Sequence, residues 1–209
     1  MKSGLNIALI SDAGTPGISD PGEELVHLCY EQGIQVTAIP GACACIDGLV
    51  LSGLSTRRFV FEAFLPKDKK ERNYVLEEMK NETRTIIVYE APHHLVKTLT
   101  LLTETLGNRS VTIVRELTKK FETVLRTTLT DALEYYKTNL PKGEYVIILQ
   151  GRSRKDLVEE GQKEWLSMTL ENHMKYYEKK GIEKKEAMKL VGKDRGLSKR
   201  EIYQQLLEH

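Results

Sequence analysis

The chain has 209 residues, 40% hydrophobic and 29% charged, which is typical of a soluble globular protein with a buried core. Its 31 Lys and Arg residues against 30 Asp and Glu give no global basic field, so any RNA contact must be local. We expect a cytoplasmic protein without a membrane segment or metal, because the apolar runs are short, no signal-like block follows Met1, and three cysteines suit neither a disulfide framework nor a zinc site.

The first predicted elements are a short β-branched strand, Asn6 to Ile10, a loop, Ser11 to Gly22, and a helix, Glu23 to Glu31. The loop, SDAGTPGISDPG, contains three glycines and two prolines. Ligands of open α/β sheets bind beyond the carboxyl ends of strands, where glycines let backbone amides approach, so the loop predicts a small-molecule site. The alternative is a structural turn in which Asp20 caps the helix and Pro21 is its first residue. The loop matches neither the dinucleotide GxGxxG nor the Walker phosphate-loop pattern.

Further strand-like runs alternate with helical patterns, which predicts an α/β sheet. These runs are Gln35 to Ile39, Arg58 to Phe61 and Arg84 to Tyr89. A helix with an apolar stripe of Leu95, Leu99, Leu102 and Leu106, ended by Gly107 and Asn108, is predicted to cover the sheet. From Ser110 the runs SVTIV, ETVLRTTL and EYVIIL, with one helix over Thr130 to Lys137, predict a second, more β-rich layer.

The segment after Gly151 carries no strand signal and predicts a helical unit. Its helical patterns lie around Trp165 to Tyr177, Lys184 to Val191 and Ser198 to Leu207. Ser198 and Glu201 form a capping-box pattern, and the turn before them gives the last two helices a helix-turn-helix appearance. With 14 basic and 11 acidic residues the unit is only mildly basic, so a solvated helical face is the alternative reading.

Four segments carry a family resemblance: SDAGTPGISDPG, IPGACACIDGLVLSGL, TIIVYEAPHHL and VRELTKKFETVLRTTL. Together they resemble the rRNA small-subunit methyltransferase I family of the tetrapyrrole methylase superfamily. The tail, KKEAMKLVGKDRGLSKREIYQ, is similar to the C-terminal helical module of that family. The resemblance implies an S-adenosylmethionine-dependent methyltransferase that acts, as a homodimer, on the ribose 2′-hydroxyl of a cytidine in the 16S rRNA of the small ribosomal subunit.

The resemblance also implies an α/β, tetrapyrrole-methylase-like two-domain fold with a C-terminal helical module. Residues 1–82 would be the remainder of the N-terminal cofactor domain, 83–151 the second α/β domain, and 152–209 the helix-turn-helix-like module. Chains of the family begin with an additional strand and a VPTPIGNL-type loop, so an N-terminally shortened chain is expected. Two other functions stay open, a methylase of tetrapyrroles or other small molecules and a truncated, non-catalytic fragment that binds RNA or the subunit.

Site residues follow from the matching motifs. The cofactor contacts implied are Gly14, Thr15, Pro16, Ile18, Gly41, Ala42, Cys43, Ala44, Tyr89 and Glu90. Tyr89 and Glu90 also end a predicted strand, which puts them where sites form. Thr15 stands where tetrapyrrole enzymes usually have an aspartate, and Cys43 where the superfamily has a hydroxyl residue. Cys43 and Cys45 as a metal pair are disfavoured because partner ligands are missing.

The polar groups of the family motifs that could act in catalysis are Asp12, Asp20, His93, Glu116, Lys119 and Glu122, and the sequence singles out none of them. Our candidates are His93 and Glu116 for catalysis, and Lys119, Glu122 and Arg126 for substrate binding. Two alternatives stay open: a surface histidine at a helix start, and ordinary ion pairing at a solvated strand end in RELTKKFE. A lysine would be a base only if burial lowered its pKa. Residues that could contact phosphates are Arg57, Arg58, Lys67, Lys69, Lys70, Lys119, Lys120, Arg126, Lys199 and Arg200.

Overall fold

The computed structural model describes residues 3–207, except for the side chains at positions 164, 199, 206 and 207. The chain divides into two compact units, Met1–Gly151 and Arg152–His209. The first unit contains α1 (Glu23–Glu31), α2 (Ala44–Ser52), β1 (Phe59–Phe64), α3 (Lys69–Lys80), β2 (Thr85–Glu90), α4 (Leu95–Leu106), β3 (Ser110–Arg115), β4 (Thr123–Thr128), α5 (Leu129–Thr138) and β5 (Tyr145–Leu149). The second contains α6 (Arg154–Leu166), α7 (Leu170–Glu178), α8 (Lys184–Arg195) and α9 (Lys199–Leu207).

The strands form one five-stranded sheet in the order β1-β2-β5-β3-β4. β1 and β2 are parallel, whereas β5 is antiparallel to both β2 and β3, and β4 is antiparallel to β3. As a result, β1, β2 and β3 all point the same way. Their last residues, Phe64, Glu90 and Arg115, therefore lie at one end of the sheet, which we call the carboxyl end.

Both faces of the sheet are covered, because neighbouring residues of a strand point to opposite faces. On one face Ile86 and Val88 pack into a core with the leucines of α4 and with side chains of α3 and α5. On the other face Ile87 and Ile148 pack against Leu49 of α2. All five residues of β5, YVIIL, are buried, as expected of a central strand. The predicted leucine stripe is confirmed, with Leu95, Leu99 and Leu102 fully buried.

The two earliest predicted strands are wrong. Asn6 to Ile10 and Gln35 to Ile39 are irregular, and neither pairs with another strand in the part of the chain that the structure describes. A β-strand is stabilised by backbone hydrogen bonds to a neighbouring strand. An apolar, β-branched run that has no neighbouring strand therefore forms no β-ladder. Their apolar side chains stay accessible, with Ile10 83% and Ile39 86% exposed.

The alternative reading of the glycine-rich loop, in which Asp20 caps α1 and Pro21 is its first residue, is also wrong, because α1 begins at Glu23. Gly22 occupies the N-cap position of that helix, and no side chain hydrogen-bonds there, so Asp20 does not cap it. At φ of 150° a residue with a side chain would be strained, and a Cβ at Gly22 would lie 2.7 Å from Leu9. Glycine is therefore favoured at position 22, because the loop lies close to the preceding segment.

The later strands form where they were predicted, but they do not make a separate layer. β1 pairs with β2, with Phe59 opposite Thr85, and β5 joins both to β3, so all belong to one sheet. The expected boundary at residue 82 separates two paired strands. The three-part domain division stays a prediction, and this sheet is a reason to move its first boundary to before Phe59.

The second unit packs its helices around Met174, Met188, Val191 and Ile202. The single helix predicted around Trp165 to Tyr177 is wrong, because α6 ends at Leu166 and α7 begins at Leu170. Thr169 starts the new helix, since its hydroxyl accepts a hydrogen bond from the backbone N–H three residues later. The sequence did not predict most of α6.

The predicted capping box of α9 is confirmed. The Ser198 hydroxyl accepts a hydrogen bond from the Glu201 N–H, and the Glu201 carboxylate accepts one from the Ser198 N–H at 2.7 Å. The turn before it is tight, because a Cβ at Gly192 would lie 2.7 Å from the Leu197 carbonyl oxygen. No helix within residues 3–207 is long and apolar enough to span a membrane.

Candidate functional site

Several loops with chemically active side chains meet at the carboxyl end of the sheet. The chain leaves β1, β2 and β3 there through residues 65–68, 91–94 and 116–122, and it enters β5 there through residues 139–144. A backbone hydrogen bond of 2.9 Å from Glu116 to Glu144 joins two of these loops. Sites of α/β proteins form at this end of a sheet, and the predicted residues of three motifs lie there.

The glycine-rich loop contacts the turn before α2. The Thr15 hydroxyl donates a hydrogen bond to the Ala42 carbonyl oxygen at 3.0 Å, although the residues are 27 positions apart. Gly14 has φ of 74°, and a Cβ there would lie 3.2 Å from the same oxygen. This close approach requires glycine. The structure therefore brings together the two predicted cofactor segments, with Ile18 exposed on the first and Gly41 exposed on the second.

Two thiols connect this turn to β2. Cys43 is the N-cap residue of α2, and its sulfur lies 3.4 Å from the sulfur of buried Cys45. Burial, followed by the neighbouring Cys43, raises the pKa of Cys45 to about 11. The Tyr89 hydroxyl hydrogen-bonds with Cys45, and burial raises the pKa of Tyr89 as well. Contacts thus run from Thr15 to Tyr89, and the raised pKa values of Cys45 and Tyr89 keep these two side chains neutral at physiological pH.

Glu90, the other predicted cofactor contact on β2, is buried and already engaged. One carboxylate oxygen accepts the Ala91 N–H at 2.8 Å, and the other accepts the Thr98 hydroxyl at 2.5 Å. These bonds fix the turn between β2 and α4. They satisfy a buried carboxylate, so they give Glu90 a structural role. A contact of Glu90 with the cofactor stays a prediction.

The two histidines follow directly. His93 and His94 are exposed, and their ring centroids lie 4.2 Å apart at an angle of 50°. His94 is the N-cap residue of α4, whose first helical residue is the buried Leu95. Both imidazoles therefore stand at the carboxyl end of the sheet, where a bound substrate could reach them.

Glu116 is not placed as a base. Its Oε1 accepts the Glu144 N–H at 2.9 Å and the Lys119 ammonium at 3.3 Å, and these contacts, the first above all, lower its pKa. Lys119 also contacts the Glu144 carboxylate at 2.8 Å, and the pKa of Lys119 is raised. A carboxyl of lowered pKa is a weak base, and a lysine of raised pKa stays protonated. The geometry therefore argues against Glu116 as a catalytic base and leaves Lys119 as a cation.

The other predicted substrate contacts brace the protein itself. The Glu122 carboxylate accepts the Thr118 N–H at 2.6 Å within the loop after β3. Arg126 lies in the middle of β4, and its guanidinium donates to the Leu51 carbonyl at the end of α2 at 2.5 Å. Glu122 is thus near the carboxyl end and Arg126 is not. Lys199, one of the residues that could contact phosphates, has a side chain that lies outside the described part of the structure.

Two aromatic residues beside Tyr89 were missed by the sequence reasoning. The rings of Phe61 and Phe64 pack edge-on against Tyr89, with centroid distances of 4.9 and 5.8 Å. The available signal was a pair of aromatic residues three positions apart at the end of a strand. Ala63, at φ of 48°, interrupts the alternation between them, and no residue type in FVFEAF predicts that conformation.

Comparison with known proteins identifies the family. Residues 1–133 match the model of the Tetrapyrrole (Corrin/Porphyrin) Methylases. The chain is 44% identical over 209 residues to the ribosomal RNA small subunit methyltransferase I of Synechocystis sp., an alignment that covers all of this chain and 73% of that protein. The chain belongs to the small subunit methyltransferase I family of tetrapyrrole methylases. The relative from Halalkalibacterium halodurans is 46% identical over 200 residues, 96% of this chain and 68% of its own.

Among solved structures, the chain is similar to the cobalt precorrin-4 methyltransferase. The match covers 66% of this chain and 61% of that one at 18% identity and a TM-score of 0.49. Tetrapyrrole methylases use S-adenosylmethionine, and this chain is accordingly a methyltransferase dependent on that cofactor. A zwitterionic sulfonium nucleoside needs backbone groups, apolar surface and few charges. The glycine backbone, the buried Cys45 thiol and the Tyr89 phenol match these needs.

Proposed function

We propose that this family member transfers the methyl group of S-adenosylmethionine to the ribose 2′-hydroxyl of a cytidine in 16S rRNA within the small ribosomal subunit. The observation that carries the proposal is the run of contacts from Thr15 through Ala42 to Cys45 and Tyr89, next to the exposed histidines. This run of contacts supports a methyl-donor site near the exposed imidazoles. The name and the 44% identity of the cyanobacterial relative support rRNA as the acceptor.

Methyl transfer to an alcohol is a displacement in which the C–O bond forms as the bond between the methyl carbon and sulfur breaks. The hydroxyl proton passes to a base, and S-adenosylhomocysteine leaves. S-adenosylmethionine supplies a methyl group on positively charged sulfur. His93 is our candidate to accept the proton at an imidazole nitrogen, because the alternatives, Glu116 and Lys119, are occupied and have pKa values shifted the wrong way. Lys119 stays a proposed substrate contact, and its ammonium is paired with Glu116 and Glu144. Alignment of the two reactants supplies the remaining rate enhancement.

The family resemblance also leads us to propose a homodimer that works in the cytoplasm and has no resident metal. Sedimentation velocity at micromolar concentration tests the dimer directly. A single species at the monomer mass would contradict it.

The decisive experiment has two stages. Calorimetry with S-adenosylhomocysteine first asks whether the cleft binds, with Gly14→Ala as the variant expected to lose affinity because its Cβ would meet the Ala42 carbonyl. Transfer of tritiated methyl groups to unmodified small ribosomal subunits follows. We expect His93→Ala to lower the rate about 100-fold or more without changing calorimetric affinity.

His94→Ala is the matched control, since it removes the neighbouring imidazole from the same turn. An equal loss in both variants would contradict the assignment of His93. Methylation of a tetrapyrrole in preference to the subunit would favour a small-molecule methylase. A folded chain that binds subunits but not S-adenosylhomocysteine would favour the non-catalytic alternative.

A further inference from the structure

Two loops at the carboxyl end of the sheet each present an exposed phenylalanine next to lysines. Phe64, the last residue of β1, is 53% exposed, and Phe121, in the loop between β3 and β4, is 62% exposed. The neighbouring lysines are Lys67, Lys69 and Lys70 in the first loop and Lys119 and Lys120 in the second. An aromatic face beside cations is the combination that binds single-stranded nucleic acid without strict sequence preference.

The orientation of Phe64 is fixed by its own strand. Ala63 has a left-handed φ of 48°, and the register with β2 shifts between Phe61 and Phe64. Such a bulge redirects the side chain that follows it. The Phe64 ring rests edge-on against Tyr89 at 5.8 Å, so one side is supported while much of the ring stays accessible.

The loop after Phe64 is also held in place. The Arg72 guanidinium donates hydrogen bonds to the carbonyl oxygens of Pro66, at 3.1 Å, and Lys67, at 2.9 Å. The Asp68 carboxylate caps α3 by accepting the Glu71 N–H. These bonds use backbone groups and leave the lysine side chains exposed, so the loop is ordered before any ligand arrives, which lowers the entropy cost of binding.

The second loop has the same design. Glu122 accepts the Thr118 N–H, and Lys119 joins Glu116 to Glu144, which closes the loop from within. Lys120 and Phe121 are both exposed, and the Lys120 ammonium lies over the Phe121 ring at 5.6 Å from its centroid. In both loops, hydrogen bonds within the protein hold the backbone in place, while one aromatic ring and at least one lysine stay accessible.

The two rings flank the candidate reaction centre. β1 and β3 are three strand spacings apart, about 14 Å, with the ends of β2 and β5 between them. Tyr89 and His93 lie at the end of β2. We infer that Phe64 and Phe121 stack bases of single-stranded RNA on either side of the nucleotide presented to His93, while Lys67, Lys69, Lys70 and Lys120 contact its phosphates. This inference rests on the proposed rRNA substrate. Charge favours an RNA backbone at the first loop, where Lys67, Lys69 and Lys70 outnumber Asp68. In the second loop two lysines balance two glutamates, and Lys119 is paired with Glu116 and Glu144, so Lys120 is the cation offered there.

The test is fluorescence anisotropy with a labelled 12-nucleotide oligocytidylate RNA. We expect Phe64→Ala and Phe121→Ala each to weaken binding about 5- to 150-fold, the range for one base stacked on one aromatic ring. Phe64→Leu should lose as much as Phe64→Ala, because a leucine keeps apolar area but offers no ring. Phe64→Tyr should retain affinity within about threefold. Tyr74→Ala, which removes a 66% exposed aromatic residue of α3, is the matched control and should change nothing.

Each remaining outcome overturns the inference. These are no binding of the oligonucleotide by the wild-type chain, full affinity in both alanine variants, and full affinity in Phe64→Leu together with dimer dissociation in Phe64→Ala. Methyl transfer to subunits, measured on the same preparations, separates this result from the proposed function. A chain that binds RNA through both rings but transfers no methyl group would support the inferred RNA-binding surface and contradict the proposed methyl transfer. Thermal melts of every variant exclude unfolding as the cause.

Discussion

The hydroxyl of Thr15 donates a hydrogen bond to the carbonyl of Ala42 at 3.0 Å, and it joins the glycine-rich loop to the turn before α2. The two segments are predicted to hold one cofactor, so the geometry of the cleft depends on this bond. Thr15 is half-buried and Ala42 is exposed, so water competes with this hydrogen bond. Its contribution is therefore the modest one of an ordinary hydrogen bond.

Thr15→Val keeps the shape of the side chain and removes the donor. We expect the affinity for S-adenosylhomocysteine to fall about fivefold, equivalent to about 1 kcal/mol, because the two loops lose their common bond. Titration calorimetry measures the change. Ser19→Ala removes a hydroxyl from the exposed part of the same loop and should bind normally. A Thr15→Val protein with unaltered affinity would show that the two loops are positioned independently.

The glycines of the second unit give a matched pair for stability. A Cβ at Gly192 would lie 2.7 Å from the Leu197 carbonyl oxygen, whereas a Cβ at Gly161, in α6, meets no atom within 4 Å. We expect Gly192→Ala to destabilise the protein by about 1–3 kcal/mol through overpacking. Gly161→Ala should stabilise it by about 0.5–1 kcal/mol, since alanine favours a helix. Urea unfolding followed by circular dichroism distinguishes them, and equal midpoints would contradict the tight turn.

Three parts of the fold were predicted well because their patterns are strong and local. The leucine stripe of α4, the run YVIIL of β5 and the capping box of α9 each reflect one local requirement, and each is present. Asn6 to Ile10 has an equally strong strand pattern, yet it is irregular. Pairing depends on a neighbour at a distance, and hydrophobicity does not specify whether that neighbour is present.

The candidate site was predictable as a set of motifs and unpredictable in its contacts. Family motifs indicated Thr15, Ala42 and Tyr89, and the structure brings their segments together. The bond from the Glu144 N–H to Glu116 was hidden, because it depends on a strand that returns 28 residues later. The Glu116–Lys119 pair lies within RELTKKFE, where ion pairing was the stated alternative, and it is present. The left-handed Ala63 that redirects Phe64 had no sequence signal, since alanine rarely takes that conformation.

The three cysteines should differ in reactivity. Cys45 is buried with its pKa raised to about 11, Cys29 is also buried, and Cys43 is half-buried at the start of α2. The thiolate is the reactive form, so at pH 8 we expect iodoacetamide to modify Cys43 first. S-adenosylhomocysteine should slow that reaction if Cys43 contacts the cofactor. Mass spectrometry of peptides over time follows each site, and Cys43→Ala identifies its signal.

Faster labelling of Cys45 than of Cys43 would contradict the burial of that thiol. Equal labelling of Cys43 with and without S-adenosylhomocysteine would instead count against its predicted cofactor contact. The two results are independent, because the first concerns the free protein and the second its complex.

Glu82 should make stability depend on pH in the acid range. Its carboxylate accepts two hydrogen bonds from the Arg84 guanidinium and one from the Arg84 N–H, and the guanidinium above all lowers its pKa from 4.5 to about 2. A lowered folded-state pKa stabilises the protein above pH 4.5, and this contribution is lost as pH falls from 4.5 towards 2. The shift could add up to about 3 kcal/mol, but solvent screens the partly exposed pair, so we expect about 1 kcal/mol.

Glu82→Gln should therefore be less stable than the wild type near pH 7, and the difference should vanish near pH 2. Urea unfolding between pH 2 and 7 measures it. Glu77→Gln is the control, because Glu77 forms an exposed ion pair with Lys80 at 3.3 Å on α3 and should change stability little at any pH. A Glu82→Gln difference that stayed constant across the range would mean that lost packing, and not the charge on Glu82, accounts for it.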